Sequence, residues 1–171
     1  MTNQSQRTPV KGSQTILVVD DDPSMALLCR TKLEQTGFTV LEASGSSEAL
    51  KVCSEYPGQI DLLLIDLLLP PPGFSLAPAS NQFPRVHGHL LVERLVAIKK
   101  GVRVLLMSAL SDQELNDRDI SVGNLPFIRK PFTMEALLEK MRDVLAAPPS
   151  VVAKKDAKDK ETDQKDVHWY D

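Results

Sequence analysis

Five residues that could take part in one reaction stand at the ends of apolar segments lying far apart in the sequence. They follow the runs 15–19, 60–65, 102–107 and 126–129, and they are Asp20, Asp21, Asp66, Ser108 and Lys130. Each has an ordinary explanation by itself, as a helix cap, a strand end, a turn or a surface charge. Their joint occurrence predicts a shared site, because ligands of open α/β folds bind at the carboxyl ends of parallel strands.

These residue types suit a divalent cation and a phosphoryl group. Clustered carboxylates repel one another, and Mg²⁺ prefers such oxygen ligands and readily bridges to phosphate. A carboxylate can itself accept a phosphoryl group, as Asp66 would here. An ammonium group and a hydroxyl would stabilise the charge on the phosphoryl oxygens.

The elements that must position these groups alternate along the chain. Strands are predicted over 15–19, 38–41, 60–66, 102–107 and 126–129, and helices over 23–36, 46–55, 90–99 and 133–147. The polar stretch 111–124 is predicted to be a weak helix running into a turn. Asp22 and Pro23 suit the start of the first helix, and Gly37 suits its end. Alternating strands and helices indicate a parallel sheet with helices on both faces.

Helical spacing predicts which side chains face the core. The first helix would bury Met25, Leu28, Cys29 and Leu33, the third Leu91, Leu95 and Ile98, and the last Met134, Leu137, Leu138, Met141 and Leu145. Cys29 and Cys53 fall on apolar helix faces, which favours two buried thiols over a disulfide or a metal pair.

Bulk composition narrows the class of protein. The chain has 171 residues, 42% of them hydrophobic, and a formal charge of -3, without a basic stripe typical of nucleic-acid binding. Neither a membrane-spanning run nor an apolar signal segment is present in the sequence. We therefore expect a cytoplasmic protein that contacts neither membranes nor nucleic acid directly.

Four motifs together resemble the receiver domain of two-component response regulators, over about residues 15–147. They are Ile16-Leu17-Val18-Val19-Asp20-Asp21-Asp22-Pro23, Asp61-Leu62-Leu63-Leu64-Ile65-Asp66 with Pro70 beyond it, Met107-Ser108-Ala109, and Phe127-Ile128-Arg129-Lys130-Pro131-Phe132. They occur in the order that the family has. The resemblance implies a flavodoxin-like, five-stranded parallel sheet with strand order 2-1-3-4-5.

The resemblance also implies roles for residues. Asp66 would be phosphorylated by a histidine kinase or a histidine phosphotransfer protein, with no other enzymatic activity beyond its own phosphorylation and dephosphorylation. The metal ligands would be Asp20, Asp21, Asp66 and the backbone carbonyl of Leu68. Ser108 and Lys130 would bind the phosphoryl group, and phosphorylation would pull Ser108 inward. Phe127 would rotate into the space left behind and alter the face read by a downstream protein target, and the bond before Pro131 would be cis. Whether phosphorylation also produces a homodimer is left open.

Three segments depart from the regular pattern. Residues 71–87 form a Pro-rich insertion after the third strand, for which a lid, a partner contact and neutral decoration are all open. Residues 1–14 and 148–171 are predicted to be a disordered lead-in and a charged disordered tail. With no output domain expected after residue 147, a single-domain regulator is predicted.

Two rival functions remain open at this point. A degenerate receiver could act as a constitutive interaction module, although all five site residues are present. An Asp-nucleophile phosphatase would need a second acid two residues beyond Asp66, where Leu68 stands. Since Leu68 and Leu110 flank the pocket in the family, we hypothesise that these apolar residues slow hydrolysis of the acyl phosphate.

Overall fold

The computed structural model describes residues 13–70, 88–118, 120 and 123–149. The predictions for the insertion 71–87, for residues 1–12 of the lead-in and for residues 150–171 of the tail lie outside these ranges. Ser13 and Gln14, placed in the predicted lead-in, hydrogen-bond to Thr39: the two hydroxyls are 2.7 Å apart, and the Thr39 amide donates to the Gln14 carbonyl over 3.0 Å.

Within these described ranges, five strands and five helices alternate. They are β1 Thr15–Val19, α1 Pro23–Gln35, β2 Thr39–Ala43, α2 Ser46–Glu55, β3 Leu62–Asp66, α3 Gly88–Ile98, β4 Arg103–Ser108, α4 Asp112–Asp117, β5 Phe127–Arg129 and α5 Met134–Ala146. No helix within the described ranges is long and apolar enough to cross a membrane. The predicted stretch 111–124, a weak helix running into a turn, is helical only over Asp112–Asp117, where the capping box at Ser111 and the buried Leu115 support it.

The strands form one parallel sheet in the order β2-β1-β3-β4-β5. The predicted flavodoxin-like fold is therefore confirmed. In this register Val19 pairs with Ile65, and Asp66 pairs with Met107. The ends of β1, β3 and β4 consequently lie side by side at one edge of the sheet.

The core has two layers, one on each face of the sheet. On one face α2, α3 and α4 pack against alternate strand residues such as Leu17, Leu63 and Leu106. On the other face α1 and α5 cover the intervening residues, among them Ile16 and Leu105. Burial on both faces explains why the strands read as continuous apolar runs.

Each layer contains one of the two cysteines, Cys29 in α1 and Cys53 in α2. Both thiols are free and fully buried. Burial raises the pKa of each to about 11. The prediction of two buried thiols is confirmed.

The ends of α1 follow the predicted signals. The Asp22 carboxylate accepts a hydrogen bond from the Ser24 amide over 2.8 Å, and Pro23 occupies the first helical position. Gly37 has a φ of 95°, and the amides of Gly37 and Phe38 donate back to the last turn. This left-handed residue ends the helix and turns the chain into β2.

Two predicted core residues lie on the surface. Leu28 is 44% exposed, because Cys29 and Leu33 define the buried stripe of α1 and Leu28 lies about 100° away from Cys29 around the helix. Ile98 is 38% exposed at the last position of α3, whereas Leu91 and Leu95 are buried. In α5, Leu137 and Met141 are buried as predicted, and Met134, Leu138 and Leu145 pack at the margin.

Candidate functional site

The acidic part of the site comes from the neighbouring strands β1 and β3. Asp20 and Asp21 follow the last residue of β1, and Asp66 is the last residue of β3. One carboxylate oxygen from each of the three lies within 4.8 Å of the other two. Parallel pairing of β1 with β3 thus brings together Asp20 and Asp66, which are 46 residues apart in sequence.

Lys130 reaches this acidic cluster from the end of β5. Its Nζ donates hydrogen bonds to Asp20 Oδ2 over 2.8 Å and to Asp66 Oδ2 over 2.9 Å. The side chains of Asp20, Asp66 and Lys130 are 0%, 11% and 15% exposed. The three charges therefore form a largely buried group with only limited contact to solvent.

Backbone amides fix the orientation of two of the carboxylates. The Asp22 amide donates to Asp20 Oδ1 over 2.9 Å, and the Leu68 amide donates to Asp66 Oδ1 over 3.0 Å. In both cases the amide lies two residues beyond the acid, an arrangement that short acidic side chains adopt in turns. Each of the two carboxylates is thus held through both of its oxygens.

The charges at this site are incompletely balanced. Burial raises the pKa of the Asp20 carboxyl, the charge on Asp66 acts in the same direction, and the hydrogen bond from Lys130 opposes both. Burial disfavours the Lys130 ammonium, but its bonds to Asp20 and Asp66 outweigh this and raise its pKa. Lys130 is therefore charged, and the carboxylates of Asp20 and Asp66 share its single ammonium group.

Ser108 lies at the end of β4 and is fully buried. Its hydroxyl oxygen accepts a hydrogen bond from the Leu110 amide over 3.0 Å, and its carbonyl accepts one from the Lys130 amide over 2.7 Å. The Lys130–Pro131 peptide bond is cis. Ser108 and Lys130 are thus neighbours through the backbone.

Phe127, the first residue of β5, is half-buried against the face of the sheet that α2, α3 and α4 cover. It pairs with Leu106 of β4, two residues before Ser108. The Arg129 guanidinium lies over its ring, 5.6 Å from the centroid. Phe127 therefore packs on this face of the sheet, three residues before Lys130 in the sequence.

Sequence reasoning missed Arg129 and the contacts it makes. Its guanidinium donates to the carbonyl of Leu110 and, over 2.6 Å, to Asp112 Oδ1. Alternation along a strand could have indicated that Arg129 and Lys130 point different ways. Nothing in the sequence indicated which loop Arg129 would contact.

The residues at this edge fit a hard divalent cation. The donor set consists of carboxylate oxygens, and burial of Asp20 removes water that would otherwise stabilise its charge. Oxygen ligands of this kind suit Mg²⁺. The acid cluster can therefore hold a metal, whereas coordination by the Leu68 carbonyl stays a prediction.

Known proteins are similar to this chain in sequence and in fold. Residues 16–75 match the family model of the response regulator receiver domain. The sensor kinase CckA of Brucella abortus is 24% identical over 144 residues, covering 81% of this chain and 13% of the kinase. The DNA-binding dual master transcriptional regulator RpaA of Synechocystis sp. is 26% identical over 132 residues, covering 76% of this chain and 48% of RpaA.

Among solved structures, a CheY-like response regulator receiver domain protein from Methanospirillum hungatei JF-1 superposes with a TM-score of 0.60. It is 24% identical and covers 78% of this chain and 94% of its own. The fold of this chain is therefore that of CheY-like receiver domains. The resemblance to the response regulator receiver domain is thus confirmed, with the family model matching residues 16–75, and receiver domains work in two-component phosphorelays with kinases.

The chain spans about half or less of the two curated relatives. One of these relatives is a sensor kinase and the other a DNA-binding regulator, so receiver-like segments occur in proteins of different overall function. The expectation that this protein does not bind nucleic acid directly stays a prediction.

Proposed function

We propose that Asp66 is the phosphoacceptor of a two-component phosphorelay. A histidine kinase or a histidine phosphotransfer protein donates the phosphoryl group in a Mg²⁺-dependent step. The modification then alters the surface that a downstream protein target contacts. The observation that carries this proposal is the contact of Lys130 Nζ with both Asp20 and Asp66, at 2.8 and 2.9 Å.

The position of Asp66 favours it over Asp20 as the nucleophile. Asp66 retains 11% side-chain exposure, whereas the Asp20 side chain is fully buried. Like the Asp20 carboxylate, the Asp66 carboxylate is held in one orientation before a donor arrives, because the Leu68 amide and Lys130 bind its two oxygens. Such preorganisation favours attack because no side-chain rotation has to precede it.

The transfer exchanges one bond to phosphorus for another. A carboxylate oxygen of Asp66 bonds to phosphorus as the bond between phosphorus and the donor's histidine nitrogen breaks. The imidazole retains the electron pair and takes a proton from water. Asp66 then carries an acyl phosphate, which adds negative charge and strong hydrogen-bond acceptors at the edge of the sheet.

Lys130 and Ser108 are the groups placed to bind the new charge. Lys130 has three N–H donors, of which Asp20 and Asp66 use two. The Ser108 hydroxyl oxygen accepts from Leu110, and its own proton is available for donation. Charge-assisted hydrogen bonds from both would stabilise the phosphorylated state.

Asp20, Asp21 and Asp66 would hold Mg²⁺, with the Leu68 carbonyl as a further ligand. When bound, the cation neutralises the carboxylates and the charge that develops on the phosphoryl oxygens. No catalysis beyond phosphorylation and dephosphorylation of Asp66 belongs to the proposal. Phe127 would report the change to the target, and the protein would act in the cytoplasm.

The proposal is tested by incubating the protein with acetyl phosphate and Mg²⁺ and measuring its intact mass. Wild type should gain one phosphoryl group, and Asp66→Asn should gain none. Asp61→Asn is the matched control: Asp61 precedes the same strand and accepts the Thr15 amide over 2.8 Å, a role that an asparagine oxygen can keep. This control should still be phosphorylated.

Omission of Mg²⁺ should abolish the mass gain of wild type. A wild-type protein that remains unmodified with Mg²⁺ and acetyl phosphate would contradict the proposal. That result would favour the degenerate receiver that acts as a constitutive interaction module.

A further inference from the structure

The loop that follows β4 is held through the peptide groups of Leu110. The Leu110 amide donates to the Ser108 hydroxyl oxygen over 3.0 Å. The Leu110 carbonyl accepts a hydrogen bond from the Arg129 guanidinium. Leu110 itself is only 5% exposed and packs in the core. Its backbone therefore connects the Ser108 hydroxyl with a charged side chain of β5.

Arg129 contacts three groups around this loop. Besides the Leu110 carbonyl it binds Asp112 Oδ1 over 2.6 Å, at the first residue of α4. Its guanidinium also lies over the ring of Phe127. A planar guanidinium with several donors can make such contacts simultaneously, which an ammonium group cannot. Arg129 thereby joins the β4–α4 loop to β5.

We propose that Arg129 is a positioning residue that holds segment 108–112 against β5 and limits the movement of Ser108 toward a phosphoryl group on Asp66. The inference rests on the proposed function, because it concerns the response of the same site. It assigns Arg129 a role opposite in sign to that of Lys130. Lys130 stabilises the phosphorylated state, and Arg129 stabilises the unphosphorylated arrangement.

That Arg129 favours the unphosphorylated arrangement follows from the hydrogen bonds that are present without a phosphoryl group. The Ser108 hydroxyl oxygen is engaged by the Leu110 amide, and Leu110 cannot move with Ser108 unless its carbonyl leaves Arg129. Displacing the loop therefore breaks a charge-assisted bond, which is stronger than a bond between neutral groups. Removing Arg129 should make the displacement easier.

The carbonyl bond, more than the ion pair, carries this effect. Arg129 is 42% exposed and Asp112 is 88% exposed, so water and salt screen their attraction. The carbonyl partner belongs to a buried residue that packs in the core. Asp112→Asn should consequently loosen the loop far less than Arg129→Met.

Amide hydrogen exchange of the unphosphorylated protein tests the inference without any phosphorylation. Arg129→Met should raise exchange at the amides of residues 109–112 about tenfold, as expected when one hydrogen bond to a charged group is lost. Arg142→Met, which removes an exposed arginine from α5, should leave these amides unchanged. Arg129→Lys should give an exchange rate between those of wild type and Arg129→Met, since an ammonium group replaces the planar guanidinium group and its several N–H donors.

Phosphorylation at limiting acetyl phosphate provides the functional measurement. Arg129→Met should reach a given phosphorylated fraction severalfold sooner than wild type, although its melting temperature is equal or lower. A variant that is merely destabilised would be phosphorylated at the wild-type rate or more slowly, which would overturn the inference. Unchanged exchange at residues 109–112 would overturn it as well.

The two proposals can fail separately. If wild type accepts no phosphoryl group, the function of Asp66 is wrong, and the exchange measurement still decides whether Arg129 restrains the loop. If wild type is phosphorylated and Arg129→Met behaves like Arg142→Met, only the role of Arg129 is wrong.

Discussion

Two adjacent basic residues of this protein, Arg129 and Lys130, form ion pairs in opposite environments. Lys130 is 15% exposed and contacts Asp20 and Asp66, whose side chains are 0% and 11% exposed. Arg129 is 42% exposed and contacts Asp112, which is 88% exposed. The two cations are neighbours in sequence, yet the charges they meet differ greatly in solvation.

The difference indicates that burial, rather than the mere presence of an ion pair, determines how much each contact affects the free energy of unfolding. An exposed pair stabilises a protein by about 0–1 kcal/mol, because water solvates both groups. A buried pair leaves an uncompensated charge when one partner is removed. The Lys130 contacts should therefore dominate stability and chemistry, and the Arg129–Asp112 pair should adjust them.

Lys130→Met should produce the largest effect on stability. It removes the ammonium group from two buried carboxylates, and we expect a loss of about 3 kcal/mol in metal-free buffer. Urea denaturation with EDTA measures it. Mg²⁺ should narrow the deficit, since a cation among the acids replaces part of the lost charge. Arg129→Met is the matched control, and an equal loss in both variants would contradict the comparison.

Leu68→Asn should produce a smaller, kinetic effect. Leu68 is half-buried beside Asp66, whereas Leu110 is buried in the core, so Leu68 is the better candidate for limiting access of water. An asparagine amide can hydrogen-bond a water molecule, and we expect severalfold faster loss of the phosphoryl group.

The decay of the phosphorylated protein, followed by intact mass after removal of acetyl phosphate, gives this rate. Leu27→Asn, a change at a 51% exposed leucine of α1, serves as the control and should decay like wild type. A rate in Leu68→Asn equal to or below that of wild type would count against a shielding role for this leucine.

Asp112→Asn should produce the smallest effect. It should lower the free energy of unfolding, measured by urea denaturation at low salt, by about 0.5 kcal/mol or less. Raising NaCl to about 1 M, where charges are screened beyond about 3 Å, should remove most of it. The deficit of Lys130→Met should change less with salt, because its partners are buried. A large loss of unfolding free energy in Asp112→Asn that does not change with salt would contradict the distinction between the exposed Arg129–Asp112 pair and the buried Lys130 contacts.

The sheet and the acids at its edge could be predicted because short segments of the sequence carry the signals for them. Apolar runs end at Asp20, Asp66 and Ser108, and alternation of strands and helices requires those ends to meet. Asp22 and Gly37 likewise mark the two ends of α1 by their own conformational preferences.

The rest depends on contacts that no local pattern encodes. The Arg129 bond to Leu110 joins residues 19 positions apart, and the spacing of residues in β5 does not identify the partner loop. The capping box of Ser111 and Glu114 marks the start of α4, but no comparable signal marks its end at Asp117. The exposure of Leu28 required knowing which stripe of α1 meets the sheet.

The position of the phosphoryl group tests the central claim most directly. After incubation with acetyl phosphate and Mg²⁺, borohydride reduction of the acyl phosphate and peptide mass mapping locate the modified residue. We predict modification at Asp66 alone, with none at Asp20 or Asp21. Modification at another residue, or an equal mass gain in Asp66→Asn, would contradict the account.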